Sequence, residues 1–175
     1  MKKQLFLIFL LMGMGIMMLA QEAPVTIKEG QSYTCAVQEF TGPYTDMEKN
    51  IGAFIGEFFR QGLTPAGPMV GIYYNSPMNT KPEDLKWAIG FIVPHDAAVK
   101  APLKKIDWKY PTVVSMMYVG PYEKSSVAYA KMNDYINKNN YKMVGPIQEK
   151  YLDNPQQVKP ENLRTEISIP VEKIK

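Results

Sequence analysis

The chain repeats itself. Gly42-Pro43-Tyr44 recurs as Gly120-Pro121-Tyr122, an offset of 78 residues. The same offset carries Gly67-Pro68 onto Gly145-Pro146, Tyr73 onto Tyr151, Pro77 onto Pro155, and Lys81-Pro82-Glu83 onto Lys159-Pro160-Glu161. Leu85, Ile89 and Val93 fall on Leu163, Ile167 and Val171. From Gly42 to Val93 this makes 13 identities in 52 positions without a gap, so every turn keeps its length. A duplication of this kind constrains the fold to two like units and a junction between them.

Each unit can be read once and checked against its copy. YTCAVQEFT and PTVVSMMYV are rich in β-branched and aromatic residues, and each stops at Gly-Pro, as strands do. About four turns of helix are expected next. Met47, Ile51, Phe54, Ile55 and Phe58 recur at three- and four-residue steps, and Val127, Tyr129, Met132 and Ile136 form a weaker stripe in the copy. Gly62 suits the end of the first helix, Asn139 and Asn140 that of the second. GPMVGIYYN and GPIQEKYLD read as second strands, DLKWAIGFIV and NLRTEISIPV as third strands. The expected fold is α+β, a tandem duplication of a strand–helix–strand–strand unit. Two antiparallel sheets, each with its helix, are expected in pseudo-twofold arrangement around a central cleft. The first half spans about 31–94, a linker about 95–110, and the second half about 111–172, within a single domain at 24–175.

Residues 1–20 read as a signal peptide: Lys2 and Lys3, an apolar run from Leu5 to Leu19, then Ala20 before polar Gln21 and Glu22. Met18 is larger than the residue usual three places before such a cut. An uncleaved anchor is the other reading, but the run is short for a span of roughly twenty residues. The expected location is therefore periplasmic or extracellular, with no stable membrane insertion after cleavage. Loss of the two lysines leaves 18 basic against 17 acidic residues, interspersed, with no basic stripe to meet a nucleic acid. Cys35, the single cysteine, cannot form an internal disulfide and reads as a small buried side chain rather than a reactive thiol.

The two copies differ where chemistry would sit. In the last strand Leu163, Thr165, Ile167 and Ile169 alternate with Arg164, Glu166, Ser168 and Pro170, and the position of Glu166 holds Ala88 in the first copy. A mid-strand glutamate on a polar face is often merely solvated. A cleft between duplicated halves, lined by the sheet faces the helices leave bare, would instead receive Glu166 as the one anion a ligand needs. Burial among aromatics would then raise its pKa, and a cationic ligand would offset the desolvation. Tyr73 and Tyr151, related by the repeat, are further candidates for the cleft wall. Glu149, two residues before Tyr151, shares its face and reads either as a second acidic contact or as a solvated side chain. Trp87 shares its strand parity with Leu85, Ile89 and Phe91, which favours the core beneath the helix over the cleft. His95, at the start of the linker, reads as a surface residue. No metal-ligand cluster, nucleophile triad or phosphate-cradling loop stands out, so no cofactor or metal is expected.

The paired GPY turns, the stretch from Gly67 to Pro77 and the run from Lys159 to Pro170 resemble the GyrI-like small-molecule-binding domain, also called the effector-binding domain of bacterial transcription activators. The resemblance covers nearly all of the chain after the leader. It implies a duplicated fold around a cleft for amphipathic, aromatic or cationic compounds, with a glutamate at the floor among aromatic side chains. Glu166 is the residue matched to that glutamate. Some relatives of this kind hydrolyse strained natural products with the equivalent residue. The chain carries no helix-turn-helix ahead of the domain, which argues against direct transcriptional control. The leading expectation is an exported binding protein for a small hydrophobic or cationic molecule. A hydrolase using Glu166 as general acid or base is the alternative, and a structural domain whose cleft is filled by its own side chains is a third reading. Binding ranks ahead of hydrolysis because no second group can be assigned to a mechanism.

Overall fold

The computed structural model describes residues 23–175, so the expected leader, 1–20, lies outside the described residues. The first half contains β1 (Thr26–Glu29), β2 (Tyr33–Thr41), α1 (Met47–Arg60), β3 (Met69–Tyr73) and β4 (Lys86–Val93). The second half follows with β5 (Lys104–Trp108), β6 (Thr112–Val119) and α2 (Ser126–Lys138), then β7 (Tyr141–Met143), β8 (Ile147–Tyr151) and β9 (Arg164–Lys173). Each long strand coincides with an alternating or β-branched run. Gly62 at φ 69° and its counterpart Asn140 at φ 53° follow the two helices in the left-handed region, where glycine and asparagine are best tolerated.

The expected two sheets are one. The strand order is β1-β6-β9-β8-β3-β4-β2-β5, antiparallel throughout, with β7 added alongside β9. Each half on its own would leave its second strand as a bare edge, and the two edges, β3 and β8, pair with each other. Registers agree between halves as the repeat demands: Thr26 opposite Ser115 corresponds, 78 residues on and back, to Lys104 opposite Val37.

That last match extends the repeat further than its identities do. β5, inside the segment expected to be a linker, is the counterpart of β1, and the two strands are exchanged. β1 pairs with β6 of the second half, and β5 with β2 of the first. The exchange also bends the sheet. β1 and β2 are six strand spacings apart in the order, about 29 Å if flat, yet only Gly30, Gln31 and Ser32 join them, a reach of at most about 14 Å. Residues 109–111 join β5 to β6 across the same six spacings. The sheet therefore curls until its ends approach, and the two links cross. Gly30 N donates to Pro111 O at 3.0 Å. A Cβ on Gly30 would lie 1.8 Å from the Tyr110 carbonyl oxygen, so only glycine fits the crossing.

Both helices pack outside the curl. α1 buries Phe54 and Phe58 against Leu85, Trp87 and Ile89. α2 buries Ala128, Met132 and Ile136 against Val114, Met116, Ile167 and Ile169. Val127, expected in the apolar stripe of α2, is instead 51% exposed: the buried row runs through Ala128, one residue on, and steps of four carry it to Met132 and Ile136. Inside the curl, the first half contributes Cys35, Val37, Val70, Ile72 and Ala88, an apolar cluster. Burial pushes the Cys35 thiol up to about 12, which leaves it an inert packing group. Among the described residues no helix is long and apolar enough to cross a membrane.

Candidate ligand-binding site

The seam between the halves sets the site. The β3·β8 register places Gly71 opposite Glu149. These two are counterparts under the 78-residue offset, so the local twofold axis passes between them. Met69 opposite Tyr151 and Ile147 opposite Tyr73 are images of each other about that axis. Odd-numbered residues of these strands face the helices, and the carboxylate of Glu149 lies there, with the residue only 7% exposed.

Tyrosines surround it. Tyr151 donates to Glu149 Oε2 at 2.7 Å, and Tyr73 lies 3.2 Å from the same oxygen and 2.7 Å from the Tyr151 hydroxyl. Tyr129, from α2, donates to Glu149 Oε1. Tyr44 packs edge-on against Tyr73 with ring centroids 5.6 Å apart, and its counterpart Tyr122 packs edge-on against Tyr151 at 5.3 Å. All five tyrosines are intermediate in exposure, so the residues that roof the carboxylate border the surface while the hydroxyls of Tyr73, Tyr129 and Tyr151 turn inward to it.

The symmetry explains why a single acid sits here. Two glutamates on the axis would set like charges directly opposite across the ladder. Gly71 removes one and makes room for the ring hydroxyls: a Cβ there would come 2.6 Å from the Tyr151 hydroxyl and 3.1 Å from that of Tyr73. The third donor is asymmetric too, since the counterpart of Tyr129 is Ile51. Burial, reinforced by the charge of Glu149, drives the Tyr73 and Tyr129 hydroxyls far above the usual phenol range. Burial, then the neighbouring Tyr73 and Glu149, does the same to Tyr151. The three phenols stay protonated and act as permanent donors, and their ring faces are the kind that attract cations.

The other expected site residues divide. Tyr73, Tyr151 and Glu149 come together, as their shared parity implies. Trp87 is 1% exposed in the first core, stacked on Phe40 at 4.7 Å, and its Nε1 donates to Gly42 O at 3.1 Å. It backs Tyr44 at 6.1 Å without reaching the carboxylate. Glu166 is elsewhere: it points to the inside of the curl, on the face away from the helices, as its parity requires. Two lysines already meet it there, Lys28 at Oε1 and Lys150 at 3.5 Å from Oε2. Burial alone would raise its pKa as expected, but the two lysines outweigh that and hold it below the ordinary carboxylate value. The acid roofed by aromatics is thus on the helix-covered face, not on the bare one. Tyr44, Tyr122 and Tyr129 were missed, although the first two stand in the repeated GPY turns that the sequence displays most plainly. His95 is at the surface, its Nδ1 3.0 Å from Thr34 Oγ1.

Solved structures share this architecture. The EcmrR C-terminal domain superimposes with a TM-score of 0.77 at 20% identity, covering 87% of this chain and 99% of that one. A hydrolase from Listeria innocua gives 0.63 at 14% identity, covering 88% and 94%. SAV2435 bound to tetraphenylphosphonium gives 0.55 at 16%, covering 85% and 94%. At these identities the likeness establishes the fold alone. No curated protein matches by sequence. The family model for the GyrI-like small molecule binding domain matches residues 23–172, essentially the whole described fold with both halves, the seam and the carboxylate on its axis. The chain belongs to that family.

Proposed function

We propose that the protein binds a small amphipathic molecule, aromatic or cationic, at the seam between its halves, with Glu149 as the anionic anchor and Tyr44, Tyr73, Tyr122, Tyr129 and Tyr151 as walls. One observation carries this reading: a carboxylate withdrawn from water on the twofold axis, ringed by partly exposed aromatic side chains. A cation brought to Glu149 compensates its desolvation, and each ring face adds roughly 0.5–2 kcal/mol. Tetraphenylphosphonium, which SAV2435 binds, has this chemistry. Glu166 was the anchor expected from the resemblance; its two lysine partners make it the weaker choice, because a cation there would have to displace them.

Hydrolysis is less well supported. The cluster supplies one carboxylate and phenols that remain protonated, with no second group to exchange protons with a leaving group. We further propose, from the pattern of residues 1–20, that the protein acts outside the cytoplasm; fractionation with mass measurement of the mature amino terminus checks this, and a cytoplasmic, uncleaved chain refutes it.

Titration with tetraphenylphosphonium, followed by tyrosine fluorescence, tests the anchor. Glu149→Gln is expected to weaken binding by about tenfold or more, the scale of losing one charge-assisted contact, while Glu166→Gln leaves it near wild type. The reverse order of effects would return the role to Glu166, and no effect of either would end the proposal.

A further inference from the structure

Inside the curl the two halves are lined differently. In the first half the inward positions Val37, Val70, Ile72, Ala88 and Gly90 are apolar. Their counterparts are Ser115, Gln148, Lys150, Glu166 and Ser168. Replacing well-packed apolar groups by an ion pair of similar position rarely stabilises a fold, so this lining is not explained by stability. Lys150, Glu166 and Ser168 of this lining border a cavity of about 50 Å³ at the mouth of the curl, with Lys28, Glu29, Tyr33 and Trp108 around it. That is room for more than one water-sized group.

The donors there outnumber the acceptors. Lys150 has a side chain only 12% exposed and three N–H groups to satisfy. Among the described residues it meets Glu166 Oε2, at 3.5 Å, and the face of the Tyr33 ring, 4.7 Å from its centroid. Lys28 shares the same carboxylate. Next to Lys150 on the inward face, Gln148 is fully buried, its Oε1 taken by the Tyr33 hydroxyl and its Nε2 without a partner. Tyr33 and Trp108 stack nearly parallel, 11° between planes, and form an apolar wall. Glu29 also borders the cavity, but it shares the strand parity of Ile27, which packs against the helix-side core, so it faces away from Lys28 and Glu166. Two inward ammonium groups against one inward carboxylate, beside a flat aromatic flank, favour a guest that accepts hydrogen bonds and carries one negative charge.

We infer that the mouth of the curl is a second binding site, separate from the seam and facing the opposite side of the sheet, which takes a small carboxylate through Lys150 and Lys28 with Ser168 as an added donor. It does not depend on the function proposed for Glu149.

The test is a titration of the protein with acetate and, separately, with inorganic phosphate at constant ionic strength, followed by two-dimensional amide NMR. Acetate is expected to give saturable shifts at residues 148–151 and 166–168 and at the Trp108 indole. Lys150→Met should weaken the response by about tenfold, the consequence of losing a charged donor. Lys28→Met, at a more exposed residue, should weaken it severalfold. Shifts that do not saturate, that persist undiminished in both lysine variants, or that follow phosphate alone would overturn the proposal.

Discussion

The two halves of this molecule share a fold and differ in what they place at two equivalent spots. On the seam, the first half contributes Gly71 and the second Glu149. Within the curl, the first half contributes Ala88 and Ile72, and the second Glu166 and Lys150. The differences are not alike. On the axis, counterparts face each other, so the second half's acid requires the first half's lack of a side chain; asymmetry there is forced by geometry. Inside the curl no counterparts stand directly opposite each other, since Val70 pairs with Lys150 and Ile72 with Gln148, so the side chains of one copy do not require a gap in the other. The first difference is therefore bound to the architecture, while the second is a free choice of chemistry by one copy.

The largest effect is expected from making the seam symmetric. Gly71→Glu would press a Cβ into the Tyr151 hydroxyl and set two carboxylates face to face. It should cost about 4 kcal/mol or more in urea unfolding, in the range that overpacking and an unpaired buried charge together produce. If the variant unfolds like wild type, the axis is not as crowded as described.

Making the curl symmetric should do much less, and only if done completely. Glu166→Ala alone leaves Lys150 nearly buried without its anion and should cost about 2 kcal/mol or more. Glu166→Ala with Lys150→Ile copies Ala88 and Ile72 and is expected within about 1 kcal/mol of wild type. A double variant as unstable as the single would show that the polar lining supports the fold itself.

Acid should separate the halves' contributions most gently. The lysines hold the pKa of Glu166 below its ordinary value of 4.5. Its stabilisation is thus fully present above that value and lost as pH falls through the lower folded one. Wild type should lose about 1 kcal/mol or less more than the double variant between pH 6 and pH 3, a modest figure because the pair is partly solvated. Equal losses in the two proteins would remove Glu166 from the account.

Much of this was legible beforehand, for identifiable reasons. Helices, long strands and turns could be read because each appeared twice with gaps conserved. The strand exchange could not: TIKE and KKIDW share no residue in register, and nothing local distinguishes a short strand crossing to the other half from a linker. The parity of Glu166 and Glu149 was also readable. What was missing was which strands form the seam. Knowing that the second strands pair across the axis would have put Glu149 there and brought Tyr129 in through its helix, since Val70-Gly71-Ile72 against Gln148-Glu149-Lys150 already shows the copies diverging.

The exchanged strands make the duplicated units inseparable. Severing the chain within 94–103 would not release two modules, because each fragment would carry the outermost strand of the other's sheet and expose the edge its own has lost. Such fragments should clasp one another on mixing. A lone unit would have no partner for its outer strand except a second copy of itself, so its simplest stable form is an interlocked pair, an arrangement the present chain holds within one covalent thread.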